Sequence, residues 1–128
     1  MVTIHAGCML AGLLSIAAGI TTAMFMRDKS WWLRVHRRFG FAGIICVLFG
    51  FTAALYMISQ QTGDHFAVPH AWLGLVTILS ALCTYTLGVT QLKRKAARMR
   101  SWHRWAGRVT ISLLFLNVVS GLSLAGVL

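Results

Sequence analysis

Hydrophobic residues along the chain form four long runs, and three short polar links separate them. The runs cover about residues 2–26, 39–58, 68–92 and 107–128. Each run can cross a bilayer as an α-helix, which takes about 20 residues. The pattern predicts an all-α membrane protein, an up-and-down bundle of four transmembrane helices. We place the helices at about 2–26, 34–58, 68–92 and 102–127, in a single domain over 1–128.

The distribution of charge predicts how the bundle is oriented. All 12 basic residues lie in or beside the first and third links, and the termini and the link at 59–69 contain none. The positive-inside rule then places these two links in the cytoplasm and both termini outside the plasma (inner) membrane. The basic residues are Arg27, Lys29, Arg34, Arg37 and Arg38, followed by Lys93, Arg94, Lys95, Arg98, Arg100, Arg104 and Arg108.

The net charge of +10 also bears on the partners of the chain. Nucleic acid is one class of partner that such a charge suggests. Here, however, the charge lies in strips beside membrane helices, where anionic lipid headgroups attract basic side chains. We therefore expect the lipid bilayer as a partner and no nucleic acid.

One histidine lies near the N-terminal end of each predicted helix. Because the helices alternate in direction, two of them fall near the outer face and two near the cytoplasmic face. The spacings between the four are 31, 34 and 33 residues. The outer pair is His5 and His70, and the inner pair is His36 and His103.

Each pair belongs to diagonal helices of the predicted bundle. Adjacent helix axes lie about 8–10 Å apart, so diagonal axes lie roughly 12–14 Å apart. That gap can hold a flat macrocycle whose iron receives an imidazole from each side. The sequence therefore predicts two bis-histidine sites, one near each membrane face, for two non-covalent haem b groups.

Glycines recur at fixed offsets from these histidines. A residue four positions after a histidine lies on the same helix face, where a glycine lets a porphyrin approach the backbone. At that offset the chain has Gly40, Gly74 and Gly107, and only the first helix departs, with Met9. Offsets of 14 and 18 residues correspond to about 21 and 27 Å along a helix, the level of the other pair. We expect the glycines there to leave a gap for the other macrocycle: Gly19, Gly50, Gly88 and Gly121.

Other interpretations of the histidines and glycines explain the pattern less well. An interfacial histidine beside Trp and Arg explains one such residue more readily than four paired ones, and glycines also serve close helix packing. Structural zinc usually has four ligands, and each face offers two histidines. A cation transporter would normally place acidic residues inside the bundle. The chain has no Glu, and its two Asp residues, Asp28 and Asp64, lie in the links.

Several polar residues near the histidines have two open interpretations. Four arginines that follow or flank the inner ligands could pair with haem propionates, or could serve only as topology signals. They are Arg37, Arg38, Arg104 and Arg108. His65 in the outer link is either a solvated loop residue or acts near the outer haem, as a partner contact or a substitute for His70. Asn117 either bonds another helix or reaches the edge of the outer haem.

Four segments resemble the cytochrome b561 family, most closely its DOMON-linked branch. They are "HAGCM" (5–9), "WWLRVHRRFGFAGIICVLFGF" (31–51), "HAWLGL" (70–75) and "WHRWAGRVTISLLFLNVVSGL" (102–122). The family is characterised by six helices, of which the middle four bind two b-type haems. The resemblance implies that His5 and His70 ligate one haem, and His36 and His103 the other. We expect the chain to depart from this pattern, without the flanking helices or a DOMON domain.

The function that we expect is transmembrane electron transfer between a donor on one side and an acceptor on the other. Two imidazoles occupy both axial positions of an iron, which favours electron transfer over oxygen binding. The partners could be a small molecule, such as an ascorbate-like reductant or a quinol, or a redox protein. Two alternatives are a quinol-oxidising cytochrome b and a membrane anchor subunit with one haem or none. Enzymatic activity and homo-oligomer formation are left open, and no catalytic side chain is assigned.

Overall fold

The computed structural model describes residues 1–60, 68–94 and 96–127, which form four α-helices and no strand. The helices are α1 (Val2–Phe25), α2 (Trp32–Ser59), α3 (Pro69–Arg94) and α4 (Ala97–Leu124). All four are long and apolar enough to cross a membrane. The predicted fold class, an all-α bundle of four membrane-spanning helices, is confirmed.

The helices differ from the predicted segments mainly in the basic regions. α2 begins at Trp32 instead of 34, and α4 begins at Ala97 instead of 102. Arg and Lys are good helix formers, so a basic segment can continue a helix beyond its apolar run. The guanidinium of Arg98 packs over the Trp102 ring at 5.2 Å, one turn further along α4. The start of α3 at Pro69 follows the preference for proline at the first helical position.

The bundle consists of two antiparallel hairpins. α1 packs along α2 and α3 along α4, while smaller contacts of α1 with α4 and of α2 with α3 close the bundle. The two helices of the first hairpin pack tightly against each other at Gly12 and Gly43. A Cβ on Gly12 would lie 2.7 Å from Val47 Cγ2, and one on Gly43 would lie 2.5 Å from Ile16 Cγ1. Small residues at such crossings let membrane helices approach closely.

The middle of the bundle is filled by aliphatic side chains, one from each helix. Met9, Val47, Ile78 and Leu114 form a buried cluster, in which Val47 and Leu114 are each 1% exposed. These positions lie between the two levels at which the histidines occur. The cluster therefore separates the outer and inner halves of the bundle.

Candidate histidine-ligated cofactor sites

Two pairs of imidazole rings lie inside the bundle, one toward each end. The ring centroids of His5 and His70 are 6.2 Å apart with their planes at 90°. Those of His36 and His103 are 6.1 Å apart with their planes at 82°. These are the diagonal pairs expected from the direction of the helices.

The distances fit a single metal atom between each pair of rings. Two imidazoles that bind one metal from opposite sides, with bonds of about 2.0 Å, have centroids about 6 Å apart. Among residues 1–60, 68–94 and 96–127, no three His, Cys, Asp or Glu side chains cluster in a way that could hold a metal ion. Each pair thus offers two ligands, as the iron of a macrocycle requires, instead of the four of a structural zinc site.

Main-chain carbonyl groups of the neighbouring helix orient three of the four rings. In each case the Nδ1–H of the histidine donates a hydrogen bond to the carbonyl oxygen. The bonds run from His5 to Gly50 (2.8 Å), from His36 to Gly19 (2.8 Å) and from His103 to Thr84 (3.0 Å). A metal-binding histidine usually donates its other ring N–H in this way, which fixes the tautomer and leaves Nε2 for the metal.

The glycines 14 and 18 residues after the histidines either pack against these rings or provide their carbonyl acceptors. A Cβ on Gly88 would lie 2.9 Å from Cε1 of His103, and one on Gly121 would lie 3.0 Å from Cε1 of His70. Gly19 and Gly50 supply the carbonyl oxygens described above. Their predicted level along the helices is correct, but the expected gap for the other macrocycle is wrong. At Gly88 and Gly121 the imidazole of the neighbouring helix takes the space, whereas a Cβ on Gly50 would lie 2.9 Å from Sδ of Met9 and one on Gly19 would lie 3.4 Å from Cβ of Phe39.

The three glycines that lie four positions after a histidine have different surroundings. Among the described residues, a Cβ on Gly40 would meet no atom within 4 Å, and one on Gly107 would meet only Thr84 Cγ2, at 3.9 Å. A Cβ on Gly74 would instead lie 3.6 Å from the side-chain Nδ2 of Asn117. The inner pair therefore has open space beside both of its near glycines, and the outer pair has a polar side chain beside its own.

A cavity of about 960 Å³ adjoins the inner pair. Its volume is at the upper end of the roughly 300–1,000 Å³ that small-molecule and cofactor sites occupy. Its walls include both inner histidines and the glycines one turn after them. Four basic residues also line it: Arg34, Arg37, Arg38 and Lys93.

The four arginines singled out in the sequence thus divide into two groups. Arg37 and Arg38 line the cavity, whereas Arg104 and Arg108 are not among its lining residues. The Arg108 guanidinium lies 4.9 Å from the centroid of the Trp105 ring instead. Arg34 also lines the cavity, and it was missed because it precedes its histidine by two positions instead of following it.

The comparisons with known proteins agree with this geometry. The sequence model described as eukaryotic cytochrome b561 matches residues 4–97, which contain His5, His36 and His70. The chain belongs to the cytochrome b561 family. No individual curated protein and no solved structure matches it. The resemblance to the DOMON-linked branch stays a prediction.

Family membership gives the sites their chemistry. A cytochrome b561 is an integral, multi-pass membrane protein that transfers electrons across the bilayer through haem b. His103 lies beyond the matched range, but its ring faces His36 at the distance of a ligand pair. The donors and spacing in this chain therefore fit haem.

A polar cluster of α3 and α4 supports His103 in this cytochrome and was missed in the sequence. The Thr110 hydroxyl is 2.8 Å from the hydroxyl oxygens of both Ser80 and Thr84. Because Thr84 also provides the carbonyl for His103, the cluster holds the acceptor in place. Hydroxyl groups at helical spacing are common in membrane helices, so they carried no separate signal.

Two further polar residues of the sequence have different outcomes. His65 lies outside the described residues, so its role stays a prediction. Asn117 is 2% exposed, and its Oδ1 has no hydrogen-bond partner within the described part of the chain. Nδ1 of His70 is the other buried side-chain atom without a partner there.

Proposed function

We propose that this cytochrome transfers electrons across the membrane through two haem b groups. The outer haem is held by His5 and His70, and the inner haem by His36 and His103. The observation that carries this proposal is the pair of ring separations, 6.2 and 6.1 Å, at opposite ends of one bundle. Offsets of 14 and 18 residues between the two levels correspond to about 21–27 Å along the helices.

The protein's own part is to hold and orient these groups. Bound haem supplies one-electron chemistry between ferric and ferrous iron. The carbonyl oxygens of Gly50, Gly19 and Thr84 keep three Nδ1–H groups engaged, so that Nε2 of each ring points away from its acceptor. With both axial positions of an iron occupied by imidazoles, electron transfer is favoured over oxygen binding.

The inner site has basic side chains suited to carboxylates. Arg37 and Arg38 lie on the cavity wall beside His36, and a guanidinium can bind a carboxylate through two parallel hydrogen bonds. We assign these two residues to the haem propionates. Arg104 and Arg108 are assigned to the membrane interface, where basic residues contact anionic headgroups.

The centre of the bundle separates the two sites. Met9, Val47, Ile78 and Leu114 leave little room for water between them, because three of them are 6% exposed or less and Met9 is 7% exposed. A packed aliphatic layer lets the protein hold two redox sites in one bundle without a continuous water path between the two faces.

The basic links predict the sidedness of the proposed reaction. With residues 27–38 and 93–108 in the cytoplasm, the inner haem faces the cytoplasm and the outer haem faces the opposite side of the plasma membrane. The donor and acceptor are small redox molecules, such as an ascorbate-like reductant or a quinol, or partner redox proteins.

Vectorial electron transfer in proteoliposomes tests this function. Vesicles holding ferricyanide inside receive a membrane-impermeant reductant outside, and ferricyanide bleaching is followed by absorbance. We expect bleaching with the unmodified chain and its loss in His36→Ala and His70→Ala, each of which removes one site. Thr52→Val and Thr86→Val are matched controls on the same helices, because these exposed hydroxyls bond only to their own helix. Bleaching that persists in both histidine variants would contradict the proposal.

A further inference from the structure

The second hairpin repeats its own site residues at a spacing of 33. His70, Gly74 and Gly88 on α3 correspond to His103, Gly107 and Gly121 on α4. In the antiparallel hairpin, each ring packs on the far glycine of the other helix, as the contacts of Gly88 and Gly121 demonstrate. The same spacing makes Asn117 of α4 the counterpart of Thr84 of α3.

One hydrogen bond at the inner end of this hairpin has no counterpart at the outer end. At the inner end, the main-chain oxygen of Thr84 accepts the Nδ1–H of His103 at 3.0 Å. At the outer end, the His70 ring packs on Gly121 in the corresponding way, with Cε1 3.0 Å from the position of a Cβ. Yet Nδ1 of His70 is buried and has no partner within residues 1–60, 68–94 and 96–127.

The counterpart residue has an acceptor without a partner among the described residues, and its amide lies against α3 one turn after His70. Asn117 is 98% buried, from its exposure of 2%, and its Oδ1 is the second unpartnered atom. Its amide lies against Gly74, one turn after His70, at 3.6 Å and 3.9 Å from the Cβ position to Nδ2 and Oδ1. Within a membrane no water is at hand to bond such groups, so they require partners in the protein.

We propose that Asn117 is the positioning residue of the outer haem, with its Oδ1 accepting the Nδ1–H of His70 in the haem-loaded protein. The inference rests on the proposed function, because it assigns a partner to an outer haem ligand. In this site an amide side chain does what main-chain carbonyl groups do for the other three ligands. The orientation of His70 in the outer haem site would therefore depend on one side chain, which a substitution can remove.

The bond has a measurable effect on the iron. An acceptor on Nδ1–H makes the imidazole a more basic ligand, and hydrogen bonding around the ligands is one of the ways a protein sets a haem potential. A more basic ligand stabilises ferric over ferrous iron. Loss of the acceptor should therefore raise the potential of the outer haem and leave the inner haem unchanged.

The first test uses the haem-loaded full chain in nanodiscs. Asn117→Leu keeps a side chain of similar size and removes the acceptor. We expect one of two midpoint potentials to rise, and the affinity for one haem to fall by about 10–100-fold, as for other lost partners of metal-bound histidines. Thr77→Val is the matched control, since Thr77 is also buried in this hairpin but bonds to Leu73 of its own helix. Both potentials should stay unchanged in the control.

A second measurement does not require a variant to fold. Asn117 is the only asparagine of the chain, so asparagine labelled with ¹³C at the side-chain carbonyl marks one residue. We expect a label-sensitive amide band in the reduced-minus-oxidised infrared difference spectrum, because the bond to His70 changes with the charge on the iron.

The possible outcomes distinguish a failure of this inference from a failure of the proposed function. A folded Asn117→Leu protein with both potentials unchanged, or a difference spectrum without a label-sensitive band, overturns the role of Asn117. The main-chain carbonyl of Asn117, the strict counterpart of Thr84, would then be the next acceptor to test. An unmodified chain that binds no haem between His5 and His70 overturns the proposed function itself, and haem stoichiometry reveals that case separately.

Discussion

The Nδ1–H of His36 donates to the carbonyl oxygen of Gly19 at 2.8 Å, which ties a proposed haem ligand on α2 to the backbone of α1. Near the other end of the same hairpin, His5 of α1 donates to Gly50 of α2 at the same distance. Each helix of this pair therefore orients the histidine of the other. The two histidine pairs share a scaffold, but each has separate supporting contacts, and substitutions can address them one at a time.

Alanine at the far glycines of the second hairpin should remove one haem each. A Cβ on Gly88 would lie 2.9 Å from the His103 ring, and one on Gly121 would lie 3.0 Å from the His70 ring. We expect Gly88→Ala to lose the inner haem and Gly121→Ala the outer, as measured by haem content per chain. Gly7→Ala is the control, because a Cβ there meets no atom of residues 1–60, 68–94 and 96–127 within 4 Å, and alanine is the better helix former by about 1 kcal/mol. Two haems retained in both variants would show that the rings are not held against these glycines.

A large side chain at Gly40 should block the inner haem without harming the helix bundle. A Cβ there meets no atom within 4 Å in the part of the chain that the structure describes, and the residue lines the cavity beside His36. Gly40→Leu is expected to fold with thermal stability close to that of the haem-free parent chain and to bind only the outer haem. Gly7→Leu should bind both. If Gly40→Leu binds two haems, the cavity is not the haem pocket.

Removing a cavity arginine should weaken the inner haem selectively. Hydrogen bonds to charged groups contribute about 1.5–3 kcal/mol, which corresponds to a roughly tenfold or greater loss of affinity. We expect this loss in Arg37→Gln or Arg38→Gln, measured as faster transfer of haem to an excess of a haem-scavenging protein. Arg108→Gln should behave like the parent chain, since its guanidinium packs on Trp105. Equal losses in all three variants would indicate a general effect of basic charge instead of propionate binding.

A methyl group at the helix crossing should destabilise the first hairpin as a whole. A Cβ on Gly43 would lie 2.5 Å from Ile16 Cγ1 and 3.2 Å from the main-chain oxygen of Gly12, which is part of a helix and cannot easily move. Overpacking of this kind costs about 1–3 kcal/mol. Gly43→Ala should lower the thermal unfolding temperature without favouring loss of one haem over the other. A variant that loses only one haem at full stability would contradict this assignment.

The sequence predicts the fold well because few backbone structures can span a lipid bilayer. Long apolar runs can only form helices in a bilayer, since every backbone group must be bonded within the segment. Their alternating direction is enough to pair His5 with His70 and His36 with His103. The start of α4 at Ala97 was placed five residues late, because basic residues there continue the helix instead of ending it.

The site contacts are harder to predict, because they depend on rotation about the helix axis and on backbone atoms. Spacing places Gly88 and Gly121 at the correct level, but it does not tell which neighbour faces them. The acceptors of His5, His36 and His103 are main-chain carbonyl groups, which any residue type can provide. Arg37 reaches the cavity while Arg104, which also directly follows its histidine, is not on the cavity wall, since equal offsets on different helices face different neighbours.

Haem content per polypeptide tests the central claim most directly. The pyridine haemochromogen assay and a reduced-minus-oxidised spectrum would be applied to the purified chain and to His70→Ala and His103→Ala. The account predicts two b haems in the unmodified chain and one in each variant, with the outer haem lost from the first and the inner haem from the second. A single haem in the unmodified chain, or none, would contradict it.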